Sequence, residues 1–586
     1  MTTVRVETKE AAPVSGKPWT RHYDPDVPAS LIYPRVPLQA ILDAAAENHP
    51  NATATIFFNR KRSYQSISDA AWRFANGLRR LGVKTGDRVA LVLPNSPQFV
   101  IAFYGALRAG AIVVPCNPLY TPPELQHQLA DSGATVVVVL SRLYPVVKAA
   151  RAVASRPGAP APAPVEHVIV TNIKEEMPQV VRLLFTLAKE KKDGHRQHFA
   201  GDPGALSMNQ VLSAPPDRFD AGTGPDDIAV LQYTGGTTGV SKGAMLSHRA
   251  LVANTLQCRA WFTNLRDGQD VAMAVMPFFH VYGLTVVMSL AVQGAVAMIL
   301  EPQFELERVL KDIQRHRPKL FCGAPRIYNA INNSPLATKY DLTSIEACIS
   351  GSAPLLIETH RKFVELTGSR LVEGYGLTEA APVTHCNPLF GEGKQKVGSI
   401  GVPYPDVESK IVDLDTGEQE MPPGEPGELI LRGPQLMDGY YKRPDETAQT
   451  LRNGWLYTGD IATVDPDGYV SIVDRKKEMI IVSGFNVYPR EVEEALAMHP
   501  AVMDAAAIGV PHPMKGEEVK AFVVLKPGAK ATADEIRAFC EKHLAPFKRP
   551  KEIEFRDSLP KTLIGKTLRR QLAQEEKTKR KTAVPA

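Results

Sequence analysis

Apolar runs alternate with amphipathic segments from about Pro37 to Val139. The runs Gly86–Leu93 and Ala134–Leu140 contain unbroken apolar stretches, which predict strands of a parallel sheet that is buried on both faces. Helical spacing of apolar residues in Ile41–Ala46 and Trp72–Leu81 precedes the first run. The pattern predicts a layered α/β fold.

The pattern becomes rich in strands and turns after Gly401, and a charged break follows at Asp474–Lys477. Beyond the break, the spacing predicts a helix, two strands and a second helix over Glu491–Met498, Asp504–Val510, Val519–Leu525 and Ala533–His543. We therefore predict a large N-terminal α/β domain of several subdomains over residues 1–473 and a small C-terminal α+β domain over residues 474–586. The basic tail Lys577–Lys581 is expected to be a solvated charge run.

Composition narrows the function classes. The 586 residues are 44% hydrophobic and 22% charged, which fits a soluble globular protein of two or more domains. The net charge of +5 is small and no basic stripe with interleaved aromatic residues occurs, so no nucleic acid partner is expected. Six cysteines without a CxxC pair favour reduced thiols in a cytoplasm, and the first ten residues lack the apolar segment of a secretory signal.

One uncharged segment is long enough to cross a bilayer. No residue between His280 and Glu301 carries a charge. However, Gly294 is placed to end a helix, and Ala295–Leu300 has the composition of a buried strand. We predict a core helix followed by a strand.

A second segment has a polar and an apolar side. After the linker-like run Pro157–Pro164, the spacing over Gln179–Lys192 predicts a short helix, apolar on one side and basic on the other. It is either a surface helix that covers the core or an interfacial helix in weak peripheral contact with the inner face of an anionic membrane.

Glycines, threonines and one lysine are concentrated in Tyr233–Gly243, directly after the apolar run Ile228–Leu231. Such a loop lets backbone N–H groups approach a phosphate chain, while hydroxyls and an ammonium add polar contacts. It is not a Walker loop, because Lys242 is followed by glycine. On its own, the segment also fits a flexible turn.

Two carboxylates lie in further candidate segments. In Glu373–Glu379, Tyr375 could stack on a nucleobase and Glu379 could hold a magnesium ion, with a helix-capping turn as the equal alternative. Asp460 ends the segment Trp455–Asp460 and could accept hydrogen bonds from ribose hydroxyls, although an aspartate after glycine is usually a turn residue.

The roles of two further residues, Lys566 and His280, depend on the structure around them. Lys566 follows a glycine in Leu559–Arg570 and would, in isolation, be a solvated lysine. His280 lies between aromatic residues in Met276–Gly283, where a buried and satisfied histidine is the default and a catalytic histidine is the alternative.

Together these segments resemble the adenylate-forming superfamily of acyl-CoA synthetases, luciferases and peptide-synthetase adenylation domains. The resemblance runs from about Pro37 to Arg570 and is most specific in Tyr233–Gly243, Gly374–Glu379, Tyr457–Asp460, Asp474–Glu493 and Pro560–Arg570. Within the superfamily, the chain looks like a bacterial long-chain fatty acid–CoA ligase. The segments most similar to that group are Cys116–Asp131, Leu231–Gly239 and Val473–Pro489.

The resemblance implies two half-reactions. A fatty acid carboxylate attacks the α-phosphate of ATP held with Mg²⁺, which gives acyl-AMP and pyrophosphate, and the CoA thiol then displaces AMP. In this family the C-terminal domain is mobile and swings about a hinge near Asp474. The loop Ser483–Phe485 then replaces Lys566 and borders a pantetheine tunnel, in which Gly484 leaves room. No general base for the thiol is evident.

The resemblance also implies the site residues. Phosphate contacts come from Thr234, Gly235, Gly236, Thr237, Thr238, Gly239 and Lys242. The rest of the nucleotide is held by Gly351, Ser352, Ala353, Glu373, Gly374, Tyr375, Gly376, Asp460 and Arg475. Further cofactor contacts come from Lys477, Ser483, Gly484 and Phe485. Mg²⁺ is held by Thr234 and Glu379, and the catalytic residues are His280, Thr378, Glu379 and Lys566. Some relatives have a lysine where this chain has Ile481, so no contact is carried over there.

Several alternatives stay open. An apolar pocket for a long-chain, medium-chain or aryl (coumarate-type) acid would be formed by Leu284, Val286, Val287 and Met288. A luciferase-like oxidative enzyme shares all five segments, and product analysis with and without CoA separates it from a ligase. An amino-acid adenylation domain is disfavoured, because Met276–Gly283 has no acidic residue to meet an α-ammonium and no carrier module follows Arg570. The oligomeric state is open, with a homodimer as one alternative.

Overall fold

The computed structural model describes residues 7–8, 17–152, 165–234, 241–390, 395–483, 485–512, 514–562 and 566–582, with side chains up to residue 580. The chain divides into two compact units. The larger consists of Met1–Glu408 and Arg432–Leu456, and the smaller of Ser409–Leu431 and Tyr457–Ala586. The predicted domain boundary and hinge near Asp474 describe a motion of the C-terminal domain. A division of the chain by compactness does not test that motion, so both stay a prediction.

The strands and helices follow one another along the whole chain. The strands up to residue 403 are β1 (Glu7–Thr8), β2 (Leu31–Ile32), β3 (Thr53–Phe57), β4 (Arg60–Ser63), β5 (Arg88–Val92), β6 (Ile112–Pro115), β7 (Val136–Leu140), β8 (His167–Thr171), β9 (Ala205–Ser207), β10 (Ile228–Thr234), β11 (Lys242–Ser247), β12 (Val271–Ala274), β13 (Ala297–Leu300), β14 (Ala347–Ser350), β15 (Arg370–Gly376), β16 (Val383–Cys386) and β17 (Val402–Pro403). The later strands are β18 (Glu408–Val412), β19 (Gly427–Arg432), β20 (Leu451–Arg452), β21 (Trp455–Val464), β22 (Val470–Arg475), β23 (Ile480–Val482), β24 (Phe485–Val487), β25 (Val502–His512), β26 (Gly516–Leu525) and β27 (Glu552–Phe555). The helices are α1 (Ala40–Asn48), α2 (Tyr64–Arg80), α3 (Pro97–Arg108), α4 (Pro122–Ser132), α5 (Tyr144–Ala152), α6 (Gln179–Ala188), α7 (Met208–Leu212), α8 (His248–Trp261), α9 (Leu290–Gln293), α10 (Leu306–His316), α11 (Pro325–Asn332), α12 (Ile357–Thr367), α13 (Pro444–Thr450), α14 (Pro489–Ala497), α15 (Ala533–Glu541) and α16 (Arg569–Thr582).

A seven-stranded sheet in the order β11–β10–β6–β5–β7–β8–β9 belongs to the larger unit. Its strands from β10 to β9 pair in parallel, whereas β11 returns antiparallel to β10. Every residue of β7 is buried, as its apolar run predicts. The predicted strands correspond to β5 and β7, and the predicted helices correspond to α1 and α2, so the α/β prediction is confirmed.

The larger unit also contains two four-stranded sheets, in the orders β12–β13–β3–β4 and β14–β15–β16–β17, and the two-stranded sheet β1–β2. β14 and β15 run parallel, with Ser350 opposite Glu373, and β16 returns antiparallel to β15. Ligands bind beyond the carboxyl ends of parallel strands in such sheets. The ends of β14 and β15 are therefore a candidate ligand-binding site.

The uncharged segment between His280 and Glu301 is part of the core. It forms a π-helical segment over Gly283–Ser289, the short helix α9 and the strand β13, and the side chains of β13 are buried. The predicted core helix and strand are confirmed. No described helix combines the length and the apolar composition that crossing a bilayer requires.

The smaller unit contains the predicted α+β module. β26 pairs with β25 and β23 in antiparallel and with β27 in parallel, while α14 and α15 occupy the two predicted helical segments. The basic tail forms the end of helix α16, and Lys577 and Lys579 are exposed there, as expected of a solvated charge run. Glu576 of α16 accepts a hydrogen bond from Lys520 at 2.7 Å, and Arg580 pairs with Glu552, which attaches this helix to the sheet.

Candidate active site

The glycine-rich segment connects β10 and β11. Thr234 lies opposite Lys242 in the antiparallel register, so both residues flank the connection. The Ser241 hydroxyl donates a hydrogen bond to the Thr234 carbonyl at 2.5 Å, which draws the two strands together at this point. The predicted phosphate-binding residues Gly235, Gly236, Thr237, Thr238 and Gly239 lie outside the described residues.

Lys242 and Glu379 lie on either side of Tyr440. The Tyr440 hydroxyl donates to Glu379 Oε1 at 2.6 Å, and Lys242 Nζ lies 5.2 Å from the centre of the Tyr440 ring. Lys242 Nζ is also 3.8 Å from a carboxylate oxygen of Glu446. One tyrosine thus joins the lysine of the glycine-rich segment to the predicted metal ligand.

The backbone around Tyr440 is fixed against β11. The N–H of Met245 donates to the Gly439 carbonyl at 2.9 Å, and the N–H of Tyr441 donates to the Gly243 carbonyl at 2.8 Å. Burial first, and then the neighbouring Glu379 carboxylate, raise the pKa of the Tyr440 phenol. The phenol therefore keeps its proton and serves as a permanent donor to Glu379.

The segments predicted to hold the nucleoside meet at the ends of β14 and β15. Because Ser350 and Glu373 are register partners in parallel strands, Gly351–Ala353 leaves β14 beside Gly374–Gly376, which end β15 and pair with β16. Ser352 has a φ of 72°, in the left-handed region, so the segment turns sharply away from the strand. The sheet thus brings together two predicted groups that are separate in sequence.

Close packing explains the glycine at position 376. A Cβ atom on Gly376 would lie 2.1 Å from the Pro382 carbonyl oxygen, which no side chain tolerates. Thr378 and Glu379 follow in a single 3₁₀ turn, Thr378–Ala380, with half-buried side chains. This turn presents a hydroxyl and a carboxylate next to the end of β15.

Tyr282 supports the other strand end. Its hydroxyl donates to the Ile349 carbonyl at 2.8 Å, and a Cβ on Gly351 would lie 3.3 Å from its ring. The hydroxyl of Ser350 is buried and has no hydrogen-bond partner among the described residues. Because an unpaired buried hydroxyl is costly, the position suits a polar ligand.

These residues fit a magnesium nucleotide by their chemistry. Thr234 and Thr378 supply hydroxyls, Lys242 supplies a cation and Glu379 supplies one carboxylate, all in the larger unit. Mg²⁺ commonly takes one or two carboxylates and completes its shell with phosphate oxygens and water. The donor set is therefore compatible with the predicted ligands.

His280 lies in a turn that Asn95 fixes. The Asn95 amide donates to the carbonyls of Ala274 and Met276, each at 2.9 Å, and accepts the N–H of Phe278 at 2.8 Å. His280 itself is half-buried rather than fully buried, and its Nδ1 accepts the N–H of Tyr282 at 3.3 Å. His280 is therefore hydrogen-bonded but less buried than the default expectation, and its catalytic role stays a prediction.

The predicted acyl-pocket residues lie in the π-helical segment Gly283–Ser289. Its buried apolar side chains include Leu284, Val286, Val287 and Met288. A Cβ on Gly283 would lie 2.2 Å from the Pro277 carbonyl oxygen, so glycine is required where the segment begins. π-Helical turns are rare and often mark functional sites.

In the smaller unit, the two predicted ribose-binding residues form an ion pair. Asp460 and Arg475 are register partners in β21 and β22, and Arg475 Nε lies 3.0 Å from Asp460 Oδ1. Glu428 stabilises the backbone next to this pair, because its carboxylate accepts the Gly459 N–H at 3.1 Å and pairs with Lys476 at 2.9 Å. The pair orients the Asp460 carboxylate.

Lys566 is held by its own loop. Its N–H donates to the Thr562 hydroxyl at 3.0 Å, and the Thr562 N–H donates to its carbonyl at 2.8 Å. Burial, and then the positive charge of Arg475, lower the pKa of Lys566 to about 8, while Asp460 and Glu478 oppose this shift. Lys566 is half-buried rather than exposed, and its catalytic role stays a prediction.

Asp474 connects the strand β22 to helix α14. Its carboxylate accepts the N–H groups of Arg475 and Arg490, both at 2.7 Å. Arg569, three residues after Lys566, pairs with Glu493 at 2.6 Å and also contacts Glu478. The predicted hinge residue is therefore bonded to the start of α14.

The remaining predicted cofactor residues lie nearby in sequence. Lys477 is exposed in a turn. Ser483 has a φ of 51°, and its N–H donates to the Lys515 carbonyl at 2.8 Å. Phe485 stacks on Phe547 with ring centres 4.8 Å apart, and Gly484 lies outside the described residues.

Comparisons with known proteins cover most of the chain. Residues 42–441 match the family model of the AMP-binding enzyme, and residues 491–566 match that of the AMP-binding enzyme C-terminal domain. The chain is 45% identical to a long-chain-fatty-acid–CoA ligase of Bacillus subtilis over 96% of this chain and 98% of the relative. It is 35% identical to a feruloyl-CoA synthase of an Amycolatopsis species, over 89% of this chain and 96% of the relative.

Solved structures extend the comparison to the fold. The anthranilate CoA ligase AuaEII in complex with anthranoyl-AMP superposes with a TM-score of 0.80 at 30% identity, over 93% of this chain and 98% of that chain. A Mycobacterium tuberculosis fatty acyl CoA synthetase gives a TM-score of 0.69 at 28% identity, over 93% and 99%. The predicted resemblance is confirmed, and the chain belongs to the family of AMP-binding enzymes.

Proposed function

We propose that this protein is an ATP-dependent ligase that converts a long-chain fatty acid to acyl-AMP and then to acyl-CoA. The observation that carries the proposal is the link from Lys242 through Tyr440 to Glu379, because it sets a cation and a carboxylate beside the glycine-rich segment. The identity of 45% to a long-chain-fatty-acid–CoA ligase supports the choice of acid.

Charge is the main obstacle to the first half-reaction. An anionic carboxylate must reach a polyanionic nucleotide, so positioning and charge neutralisation dominate catalysis. Lys242 and Thr234 bind the β- and γ-phosphates, and Thr378 binds the α-phosphate. Glu379, held by Tyr440, and Thr234 would hold Mg²⁺, which offsets phosphate charge when bound.

Lys566 completes the adenylating site. Its ammonium stabilises the charge that builds on the α-phosphate and carboxylate oxygens as the new bond forms. Asp460 orients the ribose through its hydroxyls and is itself oriented by Arg475. Gly351–Ala353, after the end of β14, and Gly374–Gly376, at the end of β15, hold the adenine.

The second half-reaction uses other residues of the smaller unit. The CoA thiol attacks the acyl carbonyl and AMP leaves, so the Lys566 loop withdraws and the hairpin β23–β24 takes its place. The hinge lies near Asp474, and Ser483–Phe485 borders the pantetheine. A thiol has a reference pKa of about 8.5, so part of the CoA is already ionised at neutral pH.

An aryl acid is the second candidate substrate, favoured by the 35% identity to a feruloyl-CoA synthase. The test is ATP- and CoA-dependent AMP release across fatty acids of increasing length plus coumarate and ferulate. We expect the highest kcat/KM with long chains. A preference for ferulate or coumarate would replace the fatty acid in this proposal.

Two further properties belong to the proposal. We infer that the enzyme works in the cytoplasm, and that weak contact with the inner face of the membrane brings it to a poorly soluble substrate. A homodimer stays a prediction, and analytical ultracentrifugation of the full chain measures it directly.

A further inference from the structure

Helix α6 turns its apolar side away from the protein. Its exposed apolar side chains are Val180, Leu183, Leu184 and Leu187, at 70%, 60%, 60% and 77% exposure. Positions i, i+3, i+4 and i+7 share one helical face. No residue of the helix is buried, so the expectation that it covers the core is wrong.

The helix is attached by other contacts. The ring of Phe185 packs edge-on against His195, with centres 5.5 Å apart. Glu190, just beyond the helix and 6% exposed, accepts from the Asn172 amide at 3.0 Å and pairs with Lys174 at 2.6 Å. The fold therefore holds α6 firmly while its apolar face remains in water.

Positive charge surrounds this face. The exposed basic residues in and after the helix are Arg182, Lys189, Lys191, Lys192 and Arg196. Over the same span, 179–196, the acidic residues are Glu190, which is buried and paired, and Asp193, which is exposed, against these five exposed basic residues. An apolar face with cationic flanks is complementary to the interface of an anionic bilayer.

We propose that α6 docks the protein on anionic lipid, with Leu183, Leu184 and Leu187 inserted among the acyl chains and the basic residues at the headgroups. A second copy of the chain is a poorer occupant, because an isologous contact would bring two basic rims together. Each lysine near an anionic surface strengthens binding about fivefold. The contact should be reversible and sensitive to salt.

Cosedimentation of the full chain with vesicles tests the proposal. We expect binding to phosphatidylcholine vesicles that contain phosphatidylserine, at low salt, and weak binding to phosphatidylcholine alone or at high salt. Leu184→Asn with Leu187→Asn should abolish binding, and Lys189→Gln, Lys191→Gln and Lys192→Gln together should weaken it about a hundredfold. Ile357→Asn is the matched control, since Ile357 is 67% exposed on helix α12.

The outcomes are separable. Equal binding to both lipids, no binding to either, or unchanged binding of the leucine variant would overturn the proposal. A leucine variant that loses a wild-type dimer but keeps vesicle binding would assign the face to a second copy instead. Binding is measured without ATP, CoA or fatty acid, so its failure would remove the membrane contact inferred above and leave the proposed ligase reaction untouched. Circular dichroism and activity on a short, soluble acid confirm that each variant is folded.

Discussion

Tyr440 joins Lys242 and Glu379, two residues of the predicted phosphate site. Its hydroxyl reaches Glu379, 61 residues earlier in the chain, and its ring lies beside Lys242. A carboxylate that must meet both a metal ion and phosphate needs a fixed rotamer, because small displacements weaken every contact in the transition state. Tyr440 supplies that restraint without adding charge.

Tyr440→Phe is expected to lower kcat/KM for acyl-AMP formation about tenfold and to raise the Mg²⁺ concentration needed for half-maximal rate. The reason is the loss of a hydrogen bond to a charged group, which contributes about 1.5–3 kcal/mol. Pyrophosphate release at varied Mg²⁺ measures both quantities. Tyr441→Phe is the neighbouring control and should change neither, and an unchanged Mg²⁺ dependence in Tyr440→Phe would remove this positioning role.

The titration of Lys566 predicts a pH profile. Because its pKa is lowered to about 8, the ammonium is present below that pH and is lost as the pH rises through it. The rate of acyl-AMP formation should therefore fall above a pH of about 8, while Lys566→Arg should move the fall to higher pH. Single-turnover pyrophosphate release from pH 6 to pH 10 gives the profile. A fall at the same pH in both proteins would assign it to another group.

At the scale of elements, apolar patterning was enough for the sheet and the C-terminal module. β5 and β7 are apolar on both faces, so their burial in a parallel sheet followed from composition alone. The orientation of α6 did not follow, because an amphipathic helix has the same pattern whether its apolar face meets a core or a membrane.

Contacts between residues that are far apart along the chain could not be predicted from the sequence either. Asn95 fixes the turn before His280 although 183 residues separate it from Phe278, and a lone asparagine after a strand carries no signal of such a partner. The motif residues themselves were found because glycines, hydroxyls and charges cluster locally around Thr234 and Glu379. What the local clusters could not give was the link between them through Tyr440.

The π-helical segment gives the prediction at this scale. Gly283→Ala places a Cβ 2.2 Å from the Pro277 carbonyl oxygen, so the start of Gly283–Ser289 must shift. Overpacking of this kind costs about 1–3 kcal/mol. We expect a lower Tm in calorimetry and a changed preference for acyl chain length. Gly224→Ala is the control, since its nearest neighbour atom would be at 3.7 Å, and equal Tm values for both variants would contradict the packing argument.

At the scale of the whole molecule, the proposed cycle uses two units and two half-reactions. Lys242 and Glu379, which are proposed to act at the phosphates, belong to the larger unit, whereas Asp460 and Lys566 belong to the smaller. An enzyme that stores one catalytic lysine on a separate unit can withdraw it between steps. The cycle therefore predicts that the two half-reactions depend on different residues.

Lys566→Ala tests this separation. Acyl-AMP formation should fall about 10²–10³-fold, as is typical for the loss of one charge-stabilising donor. Thioester formation from supplied acyl-AMP and CoA should keep most of its rate, because Lys566 acts only in the adenylating arrangement. Rapid-quench measurement of each half-reaction gives the two rates. A similar fall in both would rule out an exchange of Lys566 for the Ser483–Phe485 loop.

The central claim is that the protein joins a long-chain fatty acid to CoA through acyl-AMP. It is tested most directly by incubating the purified chain with palmitate, ATP and Mg²⁺, with and without CoA, and quantifying AMP, palmitoyl-AMP and palmitoyl-CoA by mass spectrometry. We expect equal amounts of AMP and palmitoyl-CoA when CoA is present. When CoA is absent, we expect bound palmitoyl-AMP and little release of AMP. CoA-independent AMP release with an oxidised product, or no turnover of palmitate at all, would contradict it.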